Sequence, residues 1–303
     1  MHVFVTGGSG QTGPAVIAEL VRAGHTVTGL ARSDAAADRL QSLGAAPHRG
    51  SLDDIDSLRR GAEAADGVLH MAYGADFSDL DGIVRRDRTA IETLGQSLEH
   101  SGKPLVVTSS TLVMPVGREA TEKGEPDTAG IVAFRISSEQ ASLGFATRGV
   151  RASVVRLAPT VHGPEDRLFI PMLIATARKT GVSAYVGDGA NRWPAVHRLD
   201  AAVLFRLTVE KAPASSVLHG VAESGVTLKS IAETIAQGLD LPTVSLTRDE
   251  AAKHFGSPFM ATVYGLDAPA SGSHTQELLG WSPTHPTLLE DLEHGDYLAM
   301  QTS

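Results

Sequence analysis

Met1-His-Val-Phe-Val-Thr-Gly-Gly-Ser-Gly-Gln-Thr-Gly13 decides the fold. Val3 to Thr6 is a short β-branched and aromatic run, and it leads straight into Gly7-x-x-Gly10-x-x-Gly13. Pro14-Ala-Val-Ile-Ala-Glu-Leu-Val-Arg-Ala-Gly24 then carries apolar residues at helical spacing and stops on a glycine. Strand, glycine turn and helix in that order make a site for a dinucleotide pyrophosphate. Gly7 takes the tight turn, Gly10 lets the diphosphate approach the backbone, and Gly13 lets the helix pack closely on the strand. The helix N-terminus offers free N–H groups and the positive end of its dipole to the anion. Thr6, Gly7, Gly10, Gln11, Thr12 and Gly13 are therefore the first expected cofactor contacts.

Outward from this unit, strands and helices alternate. Residues 25–31, 67–72, 104–110 and 151–157 read as strands, and 35–43, 55–61, 81–101 and 132–147 as helices. The alternation predicts an α/β fold: a Rossmann-type, doubly wound, mostly parallel sheet with helices on both faces. After Pro159 the pattern turns irregular, punctuated by Gly163, Pro164, Pro171, Gly181, Gly187, Gly189 and Pro194, with helical stretches near 170–179, 200–211, 228–239 and 247–255. We expect a dinucleotide-binding domain over 1–158 and a smaller C-terminal substrate lobe over 159–303, some of whose segments return to the sheet. The cleft between the two, at the C-terminal edge of the sheet, is where ligands bind in such folds.

Bulk properties narrow the partners. The 303 residues are 42% hydrophobic and 20% charged, with a net charge of −9, which argues against a phosphate-backbone partner. There is no cysteine. Disulfides, thiolate nucleophiles and cysteine metal sites are excluded, and a cytoplasmic location is expected. No apolar run is long enough to span a bilayer, and the N-terminus reads as a core strand instead of a signal peptide. His285 and His294 stand among Glu290, Asp291 and Glu293 without an i, i+4 histidine pair, so no metal site is expected.

These motifs resemble the extended short-chain dehydrogenase/reductases, the group of nucleotide-sugar epimerases and 3β-hydroxysteroid-dehydrogenase-like proteins. The resemblance rests on Thr6–Gly13, Gly50-Ser-Leu-Asp-Asp54, His70-Met-Ala72, Val107-Thr-Ser-Ser110, Arg156-Leu-Ala-Pro-Thr-Val-His-Gly-Pro164, Gly187-Asp-Gly189, Val196-His-Arg-Leu-Asp200 and Leu278-Leu-Gly-Trp281. It implies that Leu52 and Asp53 bracket an adenine, and that Met71, Ala72 and Tyr73 run under the ribose and diphosphate. Thr108 joins the cofactor contacts, and Pro159, Thr160 and Val161 flank the nicotinamide. NAD sites place an acid at the end of the second strand, whereas NADP sites supply a cation for the 2′-phosphate. Here Ala31 fills the acidic position and Arg32 and Ser33 follow, which favours NADP(H); if Asp34 takes the ribose instead, NAD(H) binds.

The resemblance also implies a serine near a strand end and a Tyr-x-x-x-Lys on the next helix. Ser110 fits the serine, with Ser109 and Thr111 beside it. The pair is missing. One register puts Phe134 and Ser138 at its positions, and the other puts Arg135 and Glu139 there. The chain therefore reads as an atypical member. Arg135 is the main candidate replacement, as a fixed cation for an oxyanion; the alternative is a structural ion pair. His162 is a candidate acid, and His197 a lesser one. His70 reads as a packing residue. Arg192 is expected to meet an anionic part of the substrate, and Trp193 is either a substrate wall or core. The substrate contacts are thus Ser110, Thr111, Arg192, Trp193 and His197, and the catalytic set Ser110, Arg135 and His162. Arg85-Arg-Asp-Arg88 lies where some relatives have an oligomer helix, which admits a homodimer. Three functions follow: an NADP(H)-dependent reductase of a small carbonyl or activated alkene, a non-catalytic NADP(H) sensor, and a sugar-nucleotide epimerase or dehydratase.

Overall fold

The computed structural model describes residues 1–73 and 79–299. Twelve strands occur among these residues. In the first half they are β1 (His2–Thr6), β2 (Thr26–Ala31), β3 (Ala46–Arg49), β4 (Gly67–His70), β5 (Pro104–Ser110) and β6 (Arg151–Leu157). The second half supplies β7 (Thr160–His162), β8 (Ser183–Val186), β9 (Arg192–His197), β10 (Ser216–Gly220), β11 (Glu223–Thr227) and β12 (Thr243–Leu246). The helices that matter below are α1 (Gly13–Arg22), α2 (Asp34–Ser42), α3 (Ile55–Glu63), α4 (Leu80–Ser97), α5 (Ile136–Gly144), α6 (Phe169–Thr180), α7 (Arg198–Lys211) and α8 (Leu228–Leu239). Four short helices follow: α9 (Arg248–His254), α10 (Pro258–Tyr264), α11 (Ser273–Leu279) and α12 (Leu288–His294).

The main sheet is seven-stranded, in the order β10-β6-β5-β4-β1-β2-β3, and every pairing in it is parallel. The order reverses beside β1, which is the topological switch point where such sheets bind ligands. Strand side chains alternate between faces, and β1 shows it: Val3 and Val5 enter one apolar layer, while Phe4 enters the other with Leu58, Leu94 and Leu105. A third apolar cluster, built on Ile170, Trp193, Ile231 and Leu288, holds the β11-β9-β7 sheet. β10 lies beyond residue 158 yet pairs with β6 in the main sheet, and α7 packs against α1. No helix among the described residues is long and apolar enough to cross a membrane.

Two local differences from the sequence pattern bear on the site. The helix expected over 132–147 is regular only over Ile136–Gly144, flanked by 3-10 turns at Ala133–Arg135 and Phe145–Arg148. Arg135 therefore sits at a helix entrance and not inside a helix. The segment 46–49 forms β3, which its length and Pro47 concealed.

Candidate active site

The glycine turn is shaped by contacts that exclude a side chain. Gly7 has φ +77°, and a Cβ there would meet the Ala72 nitrogen at 2.6 Å. Gly13 is packed against the turn itself and not, as expected, against the strand: a Cβ would lie 2.2 Å from the Gly7 carbonyl oxygen. Gly10 differs, since only the Gly7 oxygen, at 3.2 Å, comes near its Cβ position. Helix α1 starts at this turn with Pro14 in its first positions, no acidic residue in its first turn and no side-chain cap from Thr12. Its leading N–H groups are free for an anion. The end of β4 lies alongside, with Met71 N–H bonded to the Thr6 carbonyl and Ala72 N–H to Thr6 Oγ1 at 3.3 Å.

Gln11 is drawn elsewhere. Its Nε2 donates to Asp166 Oδ1 at 2.7 Å, its Oε1 accepts from the Arg167 N–H, and Arg198 donates to its carbonyl. Asp166 also accepts from Tyr297, whose hydroxyl accepts the Gly163 N–H. The Gln11 amide thus ties the glycine turn to the segment that follows β7. Both ends of the amide are engaged within the protein, which leaves the Gln11 backbone as the part that can face a cofactor.

At the end of β2, Ala31 is buried and Arg32 is exposed without a hydrogen bond or ion pair among the described residues. The Ser33 side chain caps α2. Asp34 is paired at 2.6 Å with Arg49, which lies beside Ala31 in the sheet register. This second cation escaped sequence reasoning, because only strand pairing brings it there. Leu52 packs on the apolar layer. Asp53 pairs with Arg86 of α4 at 2.8 Å.

Behind the turn runs a buried chain of hydrogen bonds. Ser138 Oγ donates to Asp87 Oδ2 at 2.6 Å, and Asp87 Oδ1 accepts from His70 Nε2 at 3.1 Å. His70 Nδ1 then accepts from Thr6 Oγ1 at 2.8 Å. A carboxylate accepts only, so Nε2 is the protonated nitrogen. His70 is therefore a linking residue and not mere packing. Burial pushes the Asp87 carboxyl up, but the bonds from His70 and Ser138 and the Arg135 charge hold it below the usual carboxylate range.

Both registers of the missing pair are used for structure. Ser138 belongs to the chain just described, and Glu139 forms a buried ion pair with Arg156 of β6 at 2.6 Å. Arg135 donates to the Thr108 carbonyl at 2.7 Å, and its guanidinium carbon lies 3.8 Å from the centre of the Tyr73 ring. Ser110 accepts the Leu112 N–H and so caps the 3-10 turn 111–113. Around these residues several buried polar atoms have no hydrogen-bond partner among the described residues: Tyr73 Oη, Thr108 Oγ1, Ser109 Oγ, Thr111 Oγ1, Arg135 Nε and Thr160 Oγ1. Buried polar groups are nearly always bonded. Such a cluster at the C-terminal ends of β4 to β6, beside a glycine turn with free helix N–H groups, fits a dinucleotide and a polar substrate.

Beyond β6, the contacts of four candidate residues are structural. Trp193 is 0% exposed, stacks on Tyr264, and donates its ring N–H to the Leu266 carbonyl; it is core. Arg192 is held by both oxygens of Asp267, so its charge is already compensated. His162 has 1% of its side chain exposed and donates Nδ1–H to Asp291 at 2.9 Å, while its Nε2 has no hydrogen-bond partner among the described residues. Its ring meets that of His197 edge to face, and His197 stacks on His285. His197 itself caps α7, with Nδ1 accepting the Leu199 N–H at 3.2 Å. It is a structural cap. Pro159 lies between β6 and β7, and Val161, inside β7, belongs to the main apolar cluster.

The His197 cap carries a pH dependence. Burial, with the nearby His162, lowers its pKa from 6.5 to about 4. The unfolded chain binds more protons than the folded one between these values, so stability is complete above pH 6.5 and falls as the pH drops to about 4. Asparagine also caps helices but does not titrate. Melting temperatures of the wild type and His197→Asn are expected to differ little above neutrality and to separate as the pH falls, the wild type dropping further. Parallel curves across that window would remove the histidine from the acid response.

Comparison with known proteins follows the same lines. The profile of the NAD dependent epimerase/dehydratase family matches residues 3–218. An uncharacterized protein of Schizosaccharomyces pombe is 44% identical, covering 98% of this chain and 100% of its own length. The 4-hydroxy-2-methyl-3-oxo-4-farnesyl-3,4-dihydroquinoline-1-oxide ketoreductase of Stigmatella aurantiaca is 29% identical over 89% of this chain and 84% of its own. Among solved structures, MoeE5 in complex with UDP-glucuronic acid and NAD superposes with a TM-score of 0.78 at 22% identity, covering 99% of both chains.

Proposed function

Because the chain belongs to the NAD-dependent epimerase/dehydratase family, within the extended short-chain dehydrogenase/reductases, we propose that it is an NADP(H)-dependent reductase of a small organic carbonyl or activated alkene. The observation that carries this reading is the cluster of unpartnered polar atoms at the strand ends, from Tyr73 to Thr160, beside the glycine turn. The ketoreductase relative agrees with the reaction class.

The bound cofactor supplies the hydride. The protein's part is to bind, orient and polarise. Gly7, Gly10, Gly13, Thr12 and the start of α1 take the diphosphate, with Thr6, Met71 and Ala72 as the floor of that site. Leu52 and Asp53 hold the adenine end, and Thr108, Pro159, Thr160 and Val161 the nicotinamide end. Arg32, the cation at this strand end without an ion pair among the described residues, grips the 2′-phosphate with Ser33 beside it, whereas Arg49 is compensated by Asp34. Ser110 and Thr111 hold the substrate oxygen, and Arg135, fixed on the Thr108 carbonyl, faces the charge that grows there.

The sensor reading draws on the structural use of Ser138 and Glu139, which leaves that helix without an acid. It predicts cofactor binding without turnover. A nucleotide-sugar substrate fits less well, because Arg192 is already neutralised by Asp267.

Cofactor choice is tested by titrating wild type and Arg32→Ala with NADPH and NADH. A charge-assisted hydrogen bond contributes about 1.5–3 kcal/mol, so NADPH affinity is expected to fall about 10- to 100-fold while NADH binding stays nearly unchanged. Equal binding of both cofactors, indifferent to the substitution, would sink the NADP(H) preference.

A further inference from the structure

We propose that Tyr73 is the proton donor of this site, with Arg135 as the cation that stabilises its phenolate, so that a phenol and a carbonyl-anchored cation from two separate elements replace the missing helical pair. The inference rests on the reductase reading above. Three observations carry it. The Tyr73 hydroxyl is buried and has no hydrogen-bond partner of good geometry among the described residues, an arrangement that costs free energy unless another partner completes it. Its ring lies face to face with the Arg135 guanidinium at 3.8 Å, within reach of a cation–π interaction, and Arg135 is anchored from the other side by Thr108. Finally, β4 and β5 pair last at His70 and Val107; three residues further along each chain come Tyr73 and Ser110. Tyr73, just past the end of β4, and Ser110, the last residue of β5, both come from the C-terminal edge of the sheet.

The proton bookkeeping is simple. As hydride reaches the carbonyl carbon, the C–O π pair moves to oxygen. That oxygen takes the proton from Tyr73 Oη, leaving a phenolate against Arg135, and water returns the proton. The charged groups facing Tyr73 are Arg135, from the turn before α5, and Asp87 of α4. Burial pushes the phenol above its usual value of 10, Arg135 opposes this, and Asp87 adds to it. The phenol is therefore protonated at neutral pH, as a donor in the reducing direction must be.

Tyr73→Phe tests this, since it keeps the ring and removes only an oxygen without a hydrogen-bond partner among the described residues. Melting temperature and NADPH affinity are expected to hold or rise slightly, while kcat falls about 10²- to 10⁴-fold. An ultraviolet difference titration of wild type against Tyr73→Phe is expected to isolate one phenol ionising above about 10, and the same difference in an Arg135→Leu background is expected to shift further upward. If the wild type reduces a carbonyl and Tyr73→Phe keeps most of its kcat, the proposal falls and the reductase reading stands. If Tyr73→Phe loses stability and NADPH affinity together, Tyr73 is structural and the proposal also falls. If the wild type binds NADPH but reduces nothing in a panel of ketones, aldehydes and enones, the reductase reading falls and takes the proposal with it.

Discussion

Glu139→Ala is expected to cost about 3–5 kcal/mol of folding stability, the penalty typical of leaving one member of a buried ion pair alone. Glu139 and Arg156 are both 3% exposed at their side chains. Arg156 reaches both Glu139 oxygens, with Nε at 3.0 and 3.2 Å, and turns Nη1 to the sulfur of Met114. Removal of the carboxylate strands a guanidinium inside the protein, with no water to replace the partner. The opposite substitution, Arg156→Met with Glu139→Leu, is expected to recover most of the loss, because two apolar side chains of similar volume need no desolvation. Urea denaturation of the single and double variants measures both. A single-variant loss below about 1 kcal/mol, the range of exposed pairs, would mean that water reaches the arginine. The effect extends beyond stability. Glu139 sits one turn after Arg135, so the pair also fixes the helix entrance from which Arg135 reaches Tyr73 and Thr108.

The glycines of the turn are expected to fail in different ways. Gly13→Ala would force a methyl within 2.2 Å of the Gly7 oxygen and 2.5 Å of the Gly8 oxygen. Both are backbone atoms, so no side chain can swing aside, and the start of α1 must move. Overpacking of this kind costs about 1–3 kcal/mol or more, and the N–H groups aimed at the diphosphate move with the helix. Stability and NADPH affinity should drop together. Gly10→Ala meets only one atom at 3.2 Å and should leave stability within about 1 kcal/mol of the wild type. Its methyl instead occupies the space the diphosphate needs, so affinity is expected to fall about 100-fold, equivalent to about 2.8 kcal/mol. Thermal melts with and without NADPH separate the two cases, since the cofactor stabilises only what binds it. A Gly10→Ala protein that gains the full wild-type shift would show that the diphosphate does not pass there.

The sequence disclosed the βα units because their signals are local. A strand, three glycines and a helix lie within a few residues, and each glycine answers to its immediate backbone. The alternation of Val3, Phe4 and Val5 likewise needs nothing beyond neighbours. The site was less legible because its partners are distant. Ser138 acquires its meaning from Asp87, Glu139 from Arg156, and Gln11 from Asp166, 155 positions away. Histidines mislead for a related reason: an imidazole beside a motif reads as chemistry, yet only burial shows that His162 serves Asp291 and His197 caps a helix. Arg49 was invisible because strand register, not spacing, brings it beside Ala31.

The amide of Gln11 reaches across to Asp166 and Arg167 with both its ends, and Arg198 adds a third tie to the same turn. With a diphosphate on the other side of the turn, as proposed above, nucleotide binding and the segment after β7 would be linked through this one glutamine, and any coupling carried by it would act equally in both directions.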